Sequence, residues 1–384
     1  MPTVTELAPP SSLRSRAPAV ARGWRRRQLL QALAALGGAS MLPRLAVAAP
    51  GATRLFTAWD LPDGRHQVGC VRLAAAEGAP CQVEALIDVP TRAHGLLPLP
   101  DGGVLVAARR PGEWLLRWHP ARSAPPQWHW IDGDRAFSGH AQLWGGHVYT
   151  TESDLDTGAG VLARRHPQTL ERLAEWPTGG TDNHMLLADG RGHLFVANGG
   201  VATRPETGRL KIDLEAMDSS IVRIAADSGR ITGQWRLADR RLSLRHLAWR
   251  GDDLGIALQA QHDDPAVQQA APVLAVLRGA RAAAGEPQLV ALPTPRPLGG
   301  YGGDICATPA GFHVSCPRVD AVATWAADGA WHGTQAHGEA YALATAEGAA
   351  LVAGPGGWQA LGAAPALHPW AGERAPDNHA AAAA

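Results

Sequence analysis

The chain has 384 residues, with Lys+Arg equal to Asp+Glu at 35 each, only 18% of residues charged, 44 Gly and 30 Pro. Zero formal net charge argues against a nucleic-acid or anionic-membrane partner. Fourteen Trp beside four Phe and three Tyr, with frequent Gly and Pro, suit many short strands and turns rather than long helices.

Residues 1–49 read as an address. Arg26-Arg27 precede Gln28-Leu29-Leu30, the modest apolar stretch Ala32 to Leu45 follows, and Ala46-Val-Ala-Ala49 offers a small-residue cleavage site. That order is a twin-arginine (Tat) export signal and implies a periplasmic protein. The mature domain is then residues 50–384, and no later apolar run is long enough to span a bilayer.

The mature chain repeats one pattern. Leu55 to Trp59 forms a strand and His66 to Asp88 a hairpin; the second copy opens at His94 and continues through Val104 to Arg110. Later copies open at His140, at His184, at His246, at Asp304 and at Glu339. In the fourth, Met185 to Ala188, the turn Asp189-Gly-Arg-Gly192 and His193 to Asn198 make a β-hairpin signature. Seven copies of about four strands fill the mature chain at about 48 residues apiece, a propeller-blade period. The predicted fold is all-β, a seven-bladed β-propeller with WD40/YVTN-like repeats.

The first copy lacks an innermost strand. Asp377-Asn-His379 repeats Asp182-Asn-His184 letter for letter, so Asp377 to Ala382 is predicted to be that strand and to close the ring of blades. The positions opening the inner strands are then His94, His140, His184, His246, His379, Asp304 and Glu339. Equivalent inner-strand positions would point at one end of a central channel. Imidazole with carboxylate suits iron or copper, with zinc and manganese also allowed. Arg92, Arg135 and Arg245 lie within a few residues of these histidines, and Arg109 and Glu152 sit at strand ends. They are candidates for holding an anionic ligand such as a carboxylate-bearing chelate.

Two further features shape the expectations. Cys70 and Cys81 flank a turn, as do Cys306 and Cys316 about Gly311, which favours the two local disulfides Cys70–Cys81 and Cys306–Cys316. The insertion Gly200 to Ser220 interrupts the fourth copy, either as a lid or partner surface or as a short capping helix at Asp213-Leu-Glu-Ala-Met217. Nucleotide chemistry and serine hydrolysis lack their motifs, since there is no Walker loop, dinucleotide fingerprint or Gly-x-Ser-x-Gly elbow. Without Cys-x-x-Cys-His, covalent haem is also set aside.

These motifs together resemble the bacterial DUF1513 family. The resemblance is carried by Ala107-Ala-Arg-Arg-Pro-Gly112, Arg135-Ala-Phe-Ser-Gly-His140, Tyr149-Thr-Thr-Glu152, His193 to Gly200 with Thr203 to Arg209, Leu242-Ser-Leu-Arg-His-Leu-Ala248 and the terminal Asp-Asn-His. Where that family commonly has Gly-Pro-His, this chain has Thr181-Asp-Asn-His184, keeping the histidine without the proline before it. The resemblance implies a twin-arginine-exported propeller engaged in periplasmic iron or copper handling, with imelysin-like and dihaem proteins as partners. A monomer binding a metal or a metal-bearing ligand is the expectation. A metal-dependent oxidoreductase and a non-catalytic interaction scaffold are the alternatives.

Overall fold

The computed structural model describes residues 52–76, 78–203, 211–362 and 367–383. The expected export signal lies outside them. The first strands are β1 (Thr53–Asp60), β2 (His66–Leu73) and β3 (Gln82–Val89), followed by β4 (Ala93–Pro98), β5 (Val104–Ala108), β6 (Trp114–Trp118) and β7 (Gln127–Trp130). Next come β8 (Arg135–Trp144), β9 (His147–Asp154), β10 (Ala159–Arg165) and β11 (Arg172–Thr181). The fourth group is β12 (Asn183–Ala188), β13 (His193–Asn198), the short pair β14 (Ala202–Thr203) and β15 (Lys211–Ile212), then β16 (Ser220–Ala225) and β17 (Ile231–Trp235). It is followed by β18 (Leu242–Arg250), β19 (Asp253–Ala260), β20 (Leu274–Arg278), β21 (Gln288–Leu292), β22 (Ile305–Thr308), β23 (Gly311–Cys316), β24 (Ala321–Ala326) and β25 (Trp331–Ala336). The chain ends with β26 (Ala342–Ala346), β27 (Ala349–Gly354), β28 (Gly357–Ala360), β29 (Leu367–Pro369) and β30 (Ala375–Ala382).

Five sheets have four strands each: β4 to β7, β8 to β11, β12-β13-β16-β17, β18 to β21 and β22 to β25. One eight-stranded sheet has the order β29-β28-β27-β26-β30-β1-β2-β3. Within it β30 pairs antiparallel with β1 over Leu55↔Ala382 to Asp60↔Ala375, but meets β26 only at Leu343↔His379, in parallel. Two four-strand sets, one ending the chain and one opening it, are thus joined at β30. Among the described residues no helix is long and apolar enough to cross a membrane.

The turns follow from local chemistry. Between β12 and β13, Asp189 Oδ1 accepts the backbone N–H groups of Arg191 and His193, while Gly190 and Gly192 take the left-handed φ values of 75° and 103°. Apolar residues then pack between successive sheets. Phe195 and Ile221 meet Leu244 and Ile256, and Leu274 and Phe312 lie in the next cluster. Another cluster joins Trp59 and Leu55 near the start to Ala342 and Trp358 near the end. Burial of this kind contributes roughly 1.5–3 kcal/mol per large side chain and is the main support of the sheets.

The two expected disulfides are corrected by the strand register. In β22–β23, Thr308 pairs with Gly311, so the turn is Pro309-Ala310 and Cys306 faces His313, not Cys316. Cys306 packs beside Val352 and Cys316 beside Leu274, in different clusters. Cys70 faces Ala85 and packs with Trp114, whereas Cys81 lies past the foot of β3 against Trp59 and Trp370. All four are buried free thiols. Burial raises Cys70 to about 11 and the other three to about 12. Ellman's reagent at pH 8, without reductant, is therefore expected to find almost no thiol in the folded protein and four per chain in guanidinium. Two or fewer in guanidinium would restore the disulfides.

The insertion is only partly described. The β14–β15 pair flanks residues 204–210, which lie outside the description, and a single 3-10 turn, Leu214–Ala216, occupies the segment expected as a capping helix.

Candidate metal centre

Each inner strand that carries a histidine loses register at that residue. Between Ala93↔Ala108 and Leu96↔Val106 the strand β4 has an extra residue, and His94 sits there. One extra residue also appears around His184 in β12 and His246 in β18, and two appear around His140 in β8 and His379 in β30. A bulge bends its strand and re-aims one side chain. Here five bulges aim five imidazoles at one another.

All five are at most 7% exposed. Ring centroids lie 4.5 Å apart for His94–His379, 4.9 Å for His94–His140 and His140–His184, 4.6 Å for His184–His246 and 4.4 Å for His246–His379. His246 Nε2 is 2.8 Å from His184 Nε2 and 3.1 Å from His379 Nε2. Two ligand nitrogens at right angles about 2.0–2.1 Å from one ion would be about 3 Å apart. One ring nitrogen has either a proton or a lone pair, so His246 Nε2 cannot bond well to both neighbours at once.

Two carboxylates orient the cluster. His94 Nδ1 lies 3.0 Å from Asp377 Oδ1 and His379 Nδ1 lies 3.1 Å from Asp304 Oδ1. In both, Nε2 is left facing the cluster, the arrangement that carboxylates impose on metal-ligating histidines. His94 Nε2, His140 Nε2, His184 Nδ1 and His246 Nδ1 are buried without a hydrogen-bond partner. Each such orphan costs roughly 1–3 kcal/mol unless something meets it.

Burial, reinforced by the neighbouring imidazoles, pushes His94 down to about 3 and His140, His184 and His246 well below the usual range. At His379 burial also lowers the value, but the Asp304 carboxylate outweighs it and the net shift is upward. Burial raises Asp377, yet its bond to His94 and the nearby Arg109 and Arg92 hold it below the ordinary carboxylate range. Four of the imidazoles are thus biased towards the neutral form, with lone pairs available to a borderline cation, and His379 towards the protonated one. Groups able to hold an ion are His94 with His140, His184 and His246, and His246 with Asp304 and His379.

A family model described as a protein of unknown function (DUF1513) matches residues 87–383. The chain belongs to the DUF1513 family. A comparison with curated protein sequences gives no match. Among solved structures, this DUF1513 chain is similar to virginiamycin B lyase from Staphylococcus aureus, at 10% identity over 78% of this chain and 92% of that one with a TM-score of 0.51. A streptogramin B lyase structure is similar at 10% identity over 86% and 94%, TM-score 0.51. Hydrazine synthase of Kuenenia stuttgartiensis matches at 14% identity over 75% and 80%, TM-score 0.50. At these identities the likeness concerns the fold alone, and the lyases are β-propellers.

In this DUF1513 chain, the residues expected from sequence divide into two groups. The five histidines converge. Asp304 lies beside them, its oxygens meeting His379 Nδ1 and the N–H groups of Ile305 and Leu343, and it belongs with His246 and His379 to one of the groups able to hold an ion. Glu339 is elsewhere: it lies in an exposed turn ahead of β26 and accepts the Tyr341 hydroxyl at 2.7 Å. Its φ of 48° belongs to that turn, and the inner strand begins only at Ala342.

The expected arginine set also separates. Arg109 and Arg245 line the recess beside the histidines, together with Arg110, Gln259, Tyr301 and Asn378. Arg92 instead braces Asp377 at 2.9 Å and Asp60 at 3.1 Å. Arg135 is held by Asp154 and Glu175, and Glu152 is buried on Arg165 at 2.6 Å, so neither reaches the recess.

Sequence reasoning missed Asp377, Asp182 and Arg110. The signal was present in the repeated Asp-Asn-His, whose histidine alone was used. Asp182 takes Arg110 and, at 2.7 Å, Arg245; Asp377 takes Arg92 and His94. Asn183 and Asn378 each donate a side-chain N–H to a backbone carbonyl of a neighbouring segment, Val161 and Gly303. Asp182 also occupies a left-handed φ of 53°, which a short polar side chain tolerates. Gly199 completes the arrangement, because a Cβ there would lie 2.8 Å from the Arg245 guanidinium carbon and 2.7 Å from Asp182 Oδ2.

Proposed function

We propose that the protein binds one transition-metal ion, iron or copper, through His94, His140, His184, His246 and His379, at the mouth of a seven-bladed β-propeller whose first blade receives β30. The carrying observation is that five buried imidazoles converge and two present Nε2 after a carboxylate has taken Nδ1. Ring closure is supported by the β1–β30 pairing and by the apolar cluster between the first and last strands. The chain would be exported by the twin-arginine route and hand its metal to, or take it from, periplasmic uptake proteins of the imelysin-like and dihaem types. The resident ion, when bound, would supply a positive centre for ligand exchange. The protein's own part is to exclude water and to fix the tautomers of His94 and His379 through Asp377 and Asp304.

Protein purified with its native leader is expected to carry about one equivalent of metal by elemental analysis, or to accept one. An ion at a hundredfold excess over its Kd raises stability by about 2.7 kcal/mol, readable as a higher Tm. His140→Ala and His184→Ala should each weaken binding at least tenfold, while His193→Ala, on the partly exposed turn beside Asp189, should not. No stoichiometric metal and no thermal gain from Fe, Cu or Zn would end the proposal.

A further inference from the structure

The recess beside the histidines has a positive charge that the metal reading does not use. Three guanidinium groups, Arg109, Arg110 and Arg245, line it, and one carboxylate, Asp182, serves both Arg110 and Arg245. A second carboxylate, Asp377, lies near Arg109 and holds Arg92 and His94, so the described residues set four guanidinium groups against two carboxylates before any cation enters. The Arg109 side chain makes no hydrogen bond or close ion pair among the described residues, although its charge is felt at Asp377. Arg245 is only 2% exposed, and its Nε and Nη1 have no hydrogen-bond partner. A buried guanidinium left part-paired is costly, and its planar fork fits a planar oxyanion. The same field is felt at Lys211, whose ammonium burial lowers first and Arg245, Arg318 and Arg110 lower further.

The recess is small, about 20 Å³, a little above the roughly 10–15 Å³ that one water requires. It admits a group of a few atoms, with anything larger extending through the open side. Its lining includes His94, His184 and His246, so such a group would lie against the imidazoles themselves.

We propose that this recess binds a compact carboxylate-type oxyanion, held by the forks of Arg109 and Arg245 with Arg110 behind them, which supplies an oxygen donor beside the metal. The inference rests on the metal reading for its purpose but not for its test. Two sources offer the same chemistry: free bicarbonate, and a carboxylate arm of a chelator that carries the metal in.

Calorimetric titration of the metal-free protein, in bicarbonate-free low-salt buffer, with sodium bicarbonate and separately with citrate distinguishes them. At least one is expected to bind with a millimolar or tighter Kd, bicarbonate identifying the free ion and citrate alone identifying the chelator arm. Arg109→Gln should weaken that binding at least tenfold. Arg109→Lys should fall between, since it keeps the charge and loses the fork. Because the Arg109 side chain makes no hydrogen bond among the described residues and Asp377 keeps Arg92 and His94, both variants should fold as the parent does. Failure of both anions to bind, with metal absent and with metal added, overturns the proposal, as does unchanged binding by Arg109→Gln. Anion binding without any metal binding leaves this site standing and removes the metal reading instead.

Discussion

A chain ending at Arg374 is expected to lose cooperative folding altogether. The deletion removes β30 and leaves β1 without the partner that covers it from Leu55 to Asp60. Leu55, Phe56 and Trp59 are at most 1% exposed in the intact protein, and each large apolar side chain uncovered costs roughly 1.5–3 kcal/mol. The unmade ladder bonds of β1 add about 1 kcal/mol each. Together these match the roughly 5–15 kcal/mol that holds a typical domain folded.

The deletion also removes Asp377, on which Arg92 and His94 rest, and His379, which faces His246. Full-length His379→Ala separates the two effects. It keeps every backbone bond of β30, so it should unfold cooperatively while binding metal at least tenfold more weakly. Thermal melts followed by circular dichroism check both chains. A truncated protein that melts cooperatively near the parent Tm would show that the C-terminal strand does not complete the first sheet.

That strand was legible because two readings agreed on it: the first repeat lacked an inner strand, and Asp-Asn-His appeared twice. The five histidines were legible for the same reason, since repetition fixes equivalent places without any knowledge of contacts. Glu339 failed because alignment by copy assumed that each inner strand opens at the same offset, whereas a left-handed turn at Glu339 delays β26 to Ala342. The bulges at the histidines were invisible, since an extra residue in one strand is defined only against its partner. The cysteines misled in a similar way. Their symmetry about Gly311 suggested a turn centre, but the turn is Pro309-Ala310, and a shift of register places Cys306 and Cys316 on different neighbours. Asp182 and Asp377 were legible as letters but not as roles, because the arginines they hold come from segments 63 or more residues away for Asp182 and 285 for Asp377.

Acidification of the metal-free protein is expected to destabilise it steeply between pH 6.5 and 5. His94, His140, His184 and His246 titrate below the ordinary histidine value of 6.5 in the folded state. Below 6.5 the unfolded chain therefore binds protons that the folded chain refuses, so stability falls as pH falls. Each such group adds up to about 1.4 kcal/mol per pH unit to the slope. His379 has the opposite sign: its raised value contributes stability that is full below 6.5 and is lost as pH rises through its folded value. Between pH 6.5 and 5 that contribution is nearly constant, so the lowered histidines leave the net slope positive.

His313 provides a control outside the cluster. It is held between Thr308 and Thr324 at 3.0 Å each, and burial with nearby His332 lowers it to about 4. Urea unfolding at half-unit pH steps, with chelator present, measures the slope. His313→Gln should reduce it by about 1.4 kcal/mol per pH unit, and His140→Ala by a similar amount. A flat profile between pH 6.5 and 5 would mean that these imidazoles are not held neutral, and hence that their lone pairs are not presented to an incoming ion. A slope that survives His140→Ala unchanged would place the uptake of protons outside the cluster.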